Sequence, residues 1–116
     1  MWSRFFGSTL YLDSNILIYA VESGNRWREC LSALFGAIED RSIRACTSEL
    51  TLAEVLAKPI QENAVELIAL YERVLEPGGA IDMCGMDRTL MREAAALQAG
   101  LGLKIADAIH LATAER

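Results

Sequence analysis

The sequence predicts an α/β fold built on a parallel sheet, and two observations predict it. Short candidate strands at 10–12, 43–46 and 80–84 are each followed by stretches whose apolar residues recur at helical spacing. Clusters of Gly, Pro, Ser and Asn separate these units. Strands that alternate with helices in this way pair in parallel. In such sheets ligands bind beyond the carboxyl ends of the strands.

The elements follow in order. Residues 10–12 come after a Gly-Ser-Thr stretch and read as a short buried strand. Asp13, Ser14 and Asn15 then offer capping side chains to a helix over 16–21. Ser23-Gly24-Asn25 reads as a turn. Trp27, Leu31, Leu34, Phe35 and Ile38 give 27–39 a helical stripe. After the strand at 43–46, Thr47 and Ser48 cap a helix running to about Ala57, which Pro59 is expected to stop. A helix over 63–75 ends before Pro77-Gly78-Gly79, and 80–84 forms a third strand. Asp87 opens a helix with Leu90, Ala94, Leu97 and Leu101 on one side, and Gly100 and Gly102 break it. The last helix starts near Lys104.

A chain of 116 residues fits one domain, 1–116, and can bury one hydrophobic core. A hydrophobic fraction of 53% argues for a folded globule. The net charge of −5 is unusual for a protein whose main task is gripping phosphate backbones. A carboxylate cluster that binds metal would inflate that count when read without its metal. Cys30, Cys46 and Cys84 are odd in number and lack metal spacing, so they read as reduced, buried thiols of a cytoplasmic protein. Residues 1–7, with Trp2, Phe5 and Phe6, are too short for a signal sequence. No uncharged apolar stretch of about 18 residues exists, so no membrane partner is expected.

Three acids interrupt apolar surroundings. Asp13 separates two apolar runs, although an N-cap role also accounts for it. Glu54 lies among Leu52, Ala53, Val55 and Leu56; pairing with Lys58 at i+4 is the alternative. Asp107 sits in a segment, 105–112, that is apolar nearly all round and is expected to be buried. Complementing the helix dipole would also explain it. If the three carboxylates converged to roughly 5 Å, each pair would repel by about 3 kcal/mol at an effective dielectric near 20. A divalent cation relieves that repulsion and prefers hard oxygen ligands. Mg²⁺ or Mn²⁺ so held can bind a phosphate oxygen and activate water. His110, the only histidine, reads as a packing or capping residue. Asp82 and Asp87 read as a strand-end acid and a helix cap. Lys58 and Lys104 are candidates for phosphate contact.

Three segments resemble the PIN-domain family, especially its VapC-type toxins. YLDSNILIYA resembles the opening strand and helix, SELTLAEVLAKP the second acidic motif and LKIADAIHLATAE the third. The intervening MDRTLMREAAALQAGLGL is also similar, and order and spacing agree over nearly the whole chain. The resemblance implies a three-layer α/β/α domain with a central parallel sheet. It implies Mg²⁺- or Mn²⁺-dependent hydrolysis of RNA by a metal-activated water, with Asp13, Glu54 and Asp107 holding metal and Ser14 or Asn15 supporting them. It also implies a toxin inhibited by a small VapB-like antitoxin, and a homodimer.

The chain departs from that family after the third motif. Relatives continue with a strand, a further acidic segment and often a last strand, whereas this sequence stops at Glu115-Arg116. A missing fourth acid and an exposed sheet edge are therefore expected. Two further readings remain open. One is a PIN-like domain that binds RNA or a partner but cuts poorly. The other is an unrelated acidic α/β domain whose carboxylates are caps and ion pairs.

Overall fold

The computed structural model describes residues 9–22 and 28–115. The expected turn at 23–25, Trp27, the aromatic segment at 1–8 and the side chains of Cys30 and Leu31 lie outside the described residues. Three strands and six helices are described: β1 (Thr9–Tyr11), α1 (Ser14–Glu22), α2 (Arg28–Glu39), β2 (Arg44–Ser48), α3 (Glu49–Gln61), α4 (Val65–Val74), β3 (Ile81–Cys84), α5 (Arg88–Leu101) and α6 (Ile105–Glu115). The sheet order is β1-β2-β3, and both pairings are parallel.

Strand alternation assigns the layers. Tyr11 lies opposite Cys46, Cys46 opposite Asp82 and Ser48 opposite Cys84, so these residues share one face. Leu10, Ala45, Thr47, Ile81 and Met83 take the other. That second face joins Leu12, Leu17, Leu34, Ile38, Val55, Tyr71 and Leu75 in the larger core. A smaller core of Leu90, Ala94, Ala108, Ile109 and Ala112 unites α5 with α6, which packs on β2. Alanines at the contact let these two helices approach closely. Helices on both faces give the expected three-layer α/β/α architecture.

Local chemistry explains most boundaries. Asp87 accepts a hydrogen bond from the Leu90 N–H at 2.8 Å and caps α5 as expected. Gly102 ends α5 at φ 68°, a left-handed conformation that glycine adopts without steric cost. Gly100, expected to break the helix, lies inside it.

Pro59 does not stop α3, which continues to Gln61. Proline in the last turn removes one helical hydrogen bond, and here its ring is buried. The chain then turns at Asn63, which adopts φ 54°; asparagine tolerates that conformation better than most residues. The turn closes with the Ala64 N–H donating to the Pro59 carbonyl at 2.9 Å.

Candidate active site

The end of β1 is fixed before the first acid appears. The Leu12 N–H donates to the Cys46 carbonyl at 2.8 Å, and the Thr47 hydroxyl donates to the Leu12 carbonyl at 2.5 Å. Thr47 has one hydroxyl proton, so Thr51, 2.8 Å away, donates in turn to Thr47. Both threonines are buried. Asp13 therefore leaves the sheet from a backbone anchored on either side of Leu12. Its Oδ1 accepts the Ile16 N–H at 3.0 Å, so Asp13 caps α1 and remains exposed. Ser14, half-buried, and Asn15, exposed, open the same helix.

Glu54 lies on the exposed side of α3 and does not use Lys58 as its partner. Its Oε1 is 2.5 Å from Nε2 of His110, on α6. The other ring nitrogen, Nδ1, is 2.5 Å from the Tyr11 hydroxyl, at the end of β1. The two rings meet edge to face with centroids 5.8 Å apart. Tyr11 also lies 3.3 Å from the Ser48 hydroxyl. Ser48 occupies the N-cap position of α3 without capping it through its side chain, and instead faces this tyrosine. Burial pushes the Tyr11 phenol above its ordinary pKa, so it keeps its proton at neutral pH.

His110 was expected to pack or cap, but it joins three elements whose residues are far apart in sequence. An ionised Glu54 only accepts, so the His110 Nε2 carries the proton of that bond. In the neutral ring Nδ1 then accepts from Tyr11, and Ser48 donates to the tyrosine oxygen.

Asp107 is exposed, contrary to the expectation of burial. It lies in the first turn of α6, and the buried stripe of that helix runs through Ala108, Ile109, Ala112 and Thr113. Successive residues are turned by about 100°, which directs Asp107 away from that stripe. It lies three residues before His110, and residues so spaced are neighbours on a helix surface. Lys104 is exposed just before α6, and Lys58 is exposed on α3.

Glu54 thus binds the His110–Tyr11 pair directly, Asp107 precedes His110 by one helical turn, and Asp13 follows Tyr11 by two residues in sequence. Among the described residues, however, no group of three or more His, Cys, Asp and Glu side chains is set to hold a metal ion. The donor set fits a hard divalent cation in chemical type, because all three acids offer carboxylate oxygens. Asp13 and Glu54 each commit one oxygen to a hydrogen bond, and no side-chain partner among the described residues engages Asp107.

The thiols Cys46 and Cys84 lie on the same sheet face, Cys46 directly opposite Tyr11 and Cys84 opposite Ser48. Burial, and then Cys84, push the Cys46 thiol up to about 11. Its thiolate is therefore scarce near neutrality. Peptide-resolved alkylation at pH 8 should label Cys46 tens of times more slowly than an unperturbed thiol, whereas equal rates would show that the thiol is not shielded.

A PIN-domain family model matches residues 10–116. The search of curated proteins returns no significant match. PIN domains are generally nucleases that act on nucleic acid and use divalent metals. No helix among the described residues is long and apolar enough to cross a membrane. With its layered parallel sheet and a family match over nearly the whole sequence, this chain is a member of the PIN domain family.

Proposed function

We propose that the chain, acting as one PIN-like domain, is a metal-dependent endoribonuclease and the toxin of a type II toxin–antitoxin pair. The observation that supports this reading is the nuclease-family match over residues 10–116, beside the bond of Glu54 to His110, which joins it to Tyr11. Asp13, Glu54 and Asp107 would hold Mg²⁺ or Mn²⁺. A bound divalent cation would supply Lewis acidity toward a phosphodiester oxygen and toward the attacking water.

The chain's own residues supply position and charge. Asp13 is held by the anchored end of β1, and Glu54 by His110. Ser14 and Asn15 stand next to Asp13 as hydrogen-bonding support. Lys58 and Lys104 offer phosphate contacts that offset the net negative charge. Exposed Ile60, Val65 and Leu70 near the α3–α4 turn and on α4 supply apolar surface for a homodimer or a VapB-like antitoxin. A reducing cytoplasm suits the free Cys46 and Cys84.

The test is Mn²⁺-dependent cleavage of a mixed RNA pool by the purified chain beside Asp13→Asn. Asparagine retains the capping oxygen, so the variant should fold while its cleavage falls to background. Equal cleavage by both proteins above a no-protein control would reject the site. A second reading, a PIN domain that binds RNA or a partner and cuts poorly, is favoured by the lack of a preset metal cage among the described residues. Background cleavage by both proteins, with RNA or partner binding retained, would select it.

A further inference from the structure

We infer that His110 is a positioning residue that fixes the Glu54 carboxylate for metal binding, with Tyr11 and Ser48 fixing the imidazole in turn. The inference rests on the metal-site reading above and goes beyond it by assigning a role to three residues outside the acid set.

The geometry has two arms. On one, Nε2 of His110 reaches Oε1 of Glu54 at 2.5 Å. On the other, Nδ1 meets the Tyr11 hydroxyl at 2.5 Å, and that hydroxyl lies 3.3 Å from Ser48. A glutamate on a helix surface has three side-chain torsions, and ordering it costs conformational entropy. The Glu54 side chain is 33% exposed, so packing alone does not fix it, whereas the His110 side chain is only 14% exposed. A donor on the better-buried side chain therefore restricts one glutamate oxygen and leaves Oε2 for a ligand. Groups that hydrogen-bond metal ligands orient them in this way, and losing one costs roughly 10- to 100-fold in metal affinity.

Position in the fold supports the same role. Tyr11 ends β1 two residues before Asp13, and His110 lies three residues after Asp107. The chain of contacts thus runs from the strand that delivers the first acid, through the helix that delivers the third, to the second acid itself. A latch that served only packing would not need to end on the exposed oxygen of a carboxylate.

Substitution can separate the arms. In His110→Gln the amide nitrogen stands near the place of Nε2 and can still donate to Glu54. In His110→Asn the polar group stands near Nδ1 and can meet only Tyr11. Mn²⁺ alone would be titrated calorimetrically into the full chain and into His110→Gln, His110→Asn, His110→Ala, Tyr11→Phe and Asp107→Asn. Thermal melts without metal would report folding.

His110→Ala and His110→Asn should weaken Mn²⁺ binding about tenfold or more, His110→Gln by no more than about threefold, and Tyr11→Phe by an intermediate factor. For RNA cleavage in the same variants, kcat should fall while KM holds. If Asp107→Asn abolishes Mn²⁺ binding but folded His110→Asn and His110→Ala keep it within twofold, the positioning role is wrong and the metal site stands. Equal losses in Gln, Asn and Ala that track their melting temperatures would also overturn it, because a purely structural latch behaves that way. If the unaltered chain binds no Mn²⁺, the metal-site reading fails and the inference falls with it.

Discussion

Asp107→Asn should leave the fold intact and lower Mn²⁺-dependent RNA cleavage by more than about a hundredfold. Metal-ion catalysis supplies several kcal/mol of transition-state stabilisation, and each 1.36 kcal/mol is about tenfold in rate. The stability cost should be small for a reason visible in the structure. Asp107 is exposed and makes no side-chain bond to another described residue. Its remaining contribution is a negative charge in the first turn of α6, worth about 0.3–1 kcal/mol. Initial-rate assays and urea melts on the same preparations check both halves. A variant that cuts RNA at the original rate would remove Asp107 from the site. One that loses activity together with several kcal/mol of stability would make the residue structural.

Tyr71→Ala should have the largest effect on stability, about 3–5 kcal/mol. Tyr71 is fully buried in the larger core, and its hydroxyl donates to Glu22 at the end of α1. Burial, and then the neighbouring Glu22, push its phenol pKa up, so the hydroxyl stays protonated. Truncation would open a ring-sized void in the larger core beside α3 and also release the tie to α1. A domain of this size is stable by only about 5–15 kcal/mol, so much of the total would go. Tyr71→Phe keeps the ring and loses one partly exposed hydrogen bond, which should cost about 1 kcal/mol. Urea denaturation with an unchanged m-value would separate these changes from altered compactness. A loss below 1 kcal/mol for Tyr71→Ala would mean that α4 is not packed as described.

Much of the fold was legible because its signals are local. The capping by Asp87 and the left-handed stop at Gly102 follow from what those side chains do to their own backbone. The short, mostly apolar segments at the three strands pointed to the sheet in the same way. Pro59 misled because the sequence shows the lost N–H but not the burial that accompanies the ring in the last turn of α3. Asp107 misled because a helix with apolar residues on every side still buries only the stripe its neighbours cover. Ile105, at the start of α6, is itself 49% exposed.

The site divides along similar lines. The three acids stood out as charges among apolar residues. The capping role of Asp13 was equally foreseeable, and the bond to Ile16 shows that a cap and a candidate ligand can be one residue. His110 reads as a packing or capping residue in the sequence because its partners are 56 and 99 positions away. One signal was available: it lies one turn after Asp107, on the side of α6 that also bears a charge.

The hydroxyl that Thr47 donates to the Leu12 carbonyl ties the backbone before the first acid to β2. With both peptide groups of Leu12 bound to β2 or its side chains, the backbone entering Asp13 moves with the sheet. Glu54 rides on α3, whose backbone continues directly from β2 and whose Thr51 hydroxyl binds Thr47, so the second acid is tied to the same strand. Asp107 rides on α6, which packs on β2 and α3 from a distant part of the sequence. The strand β2 is thus the common anchor of the first two acids, and the third is carried in by a separate helix.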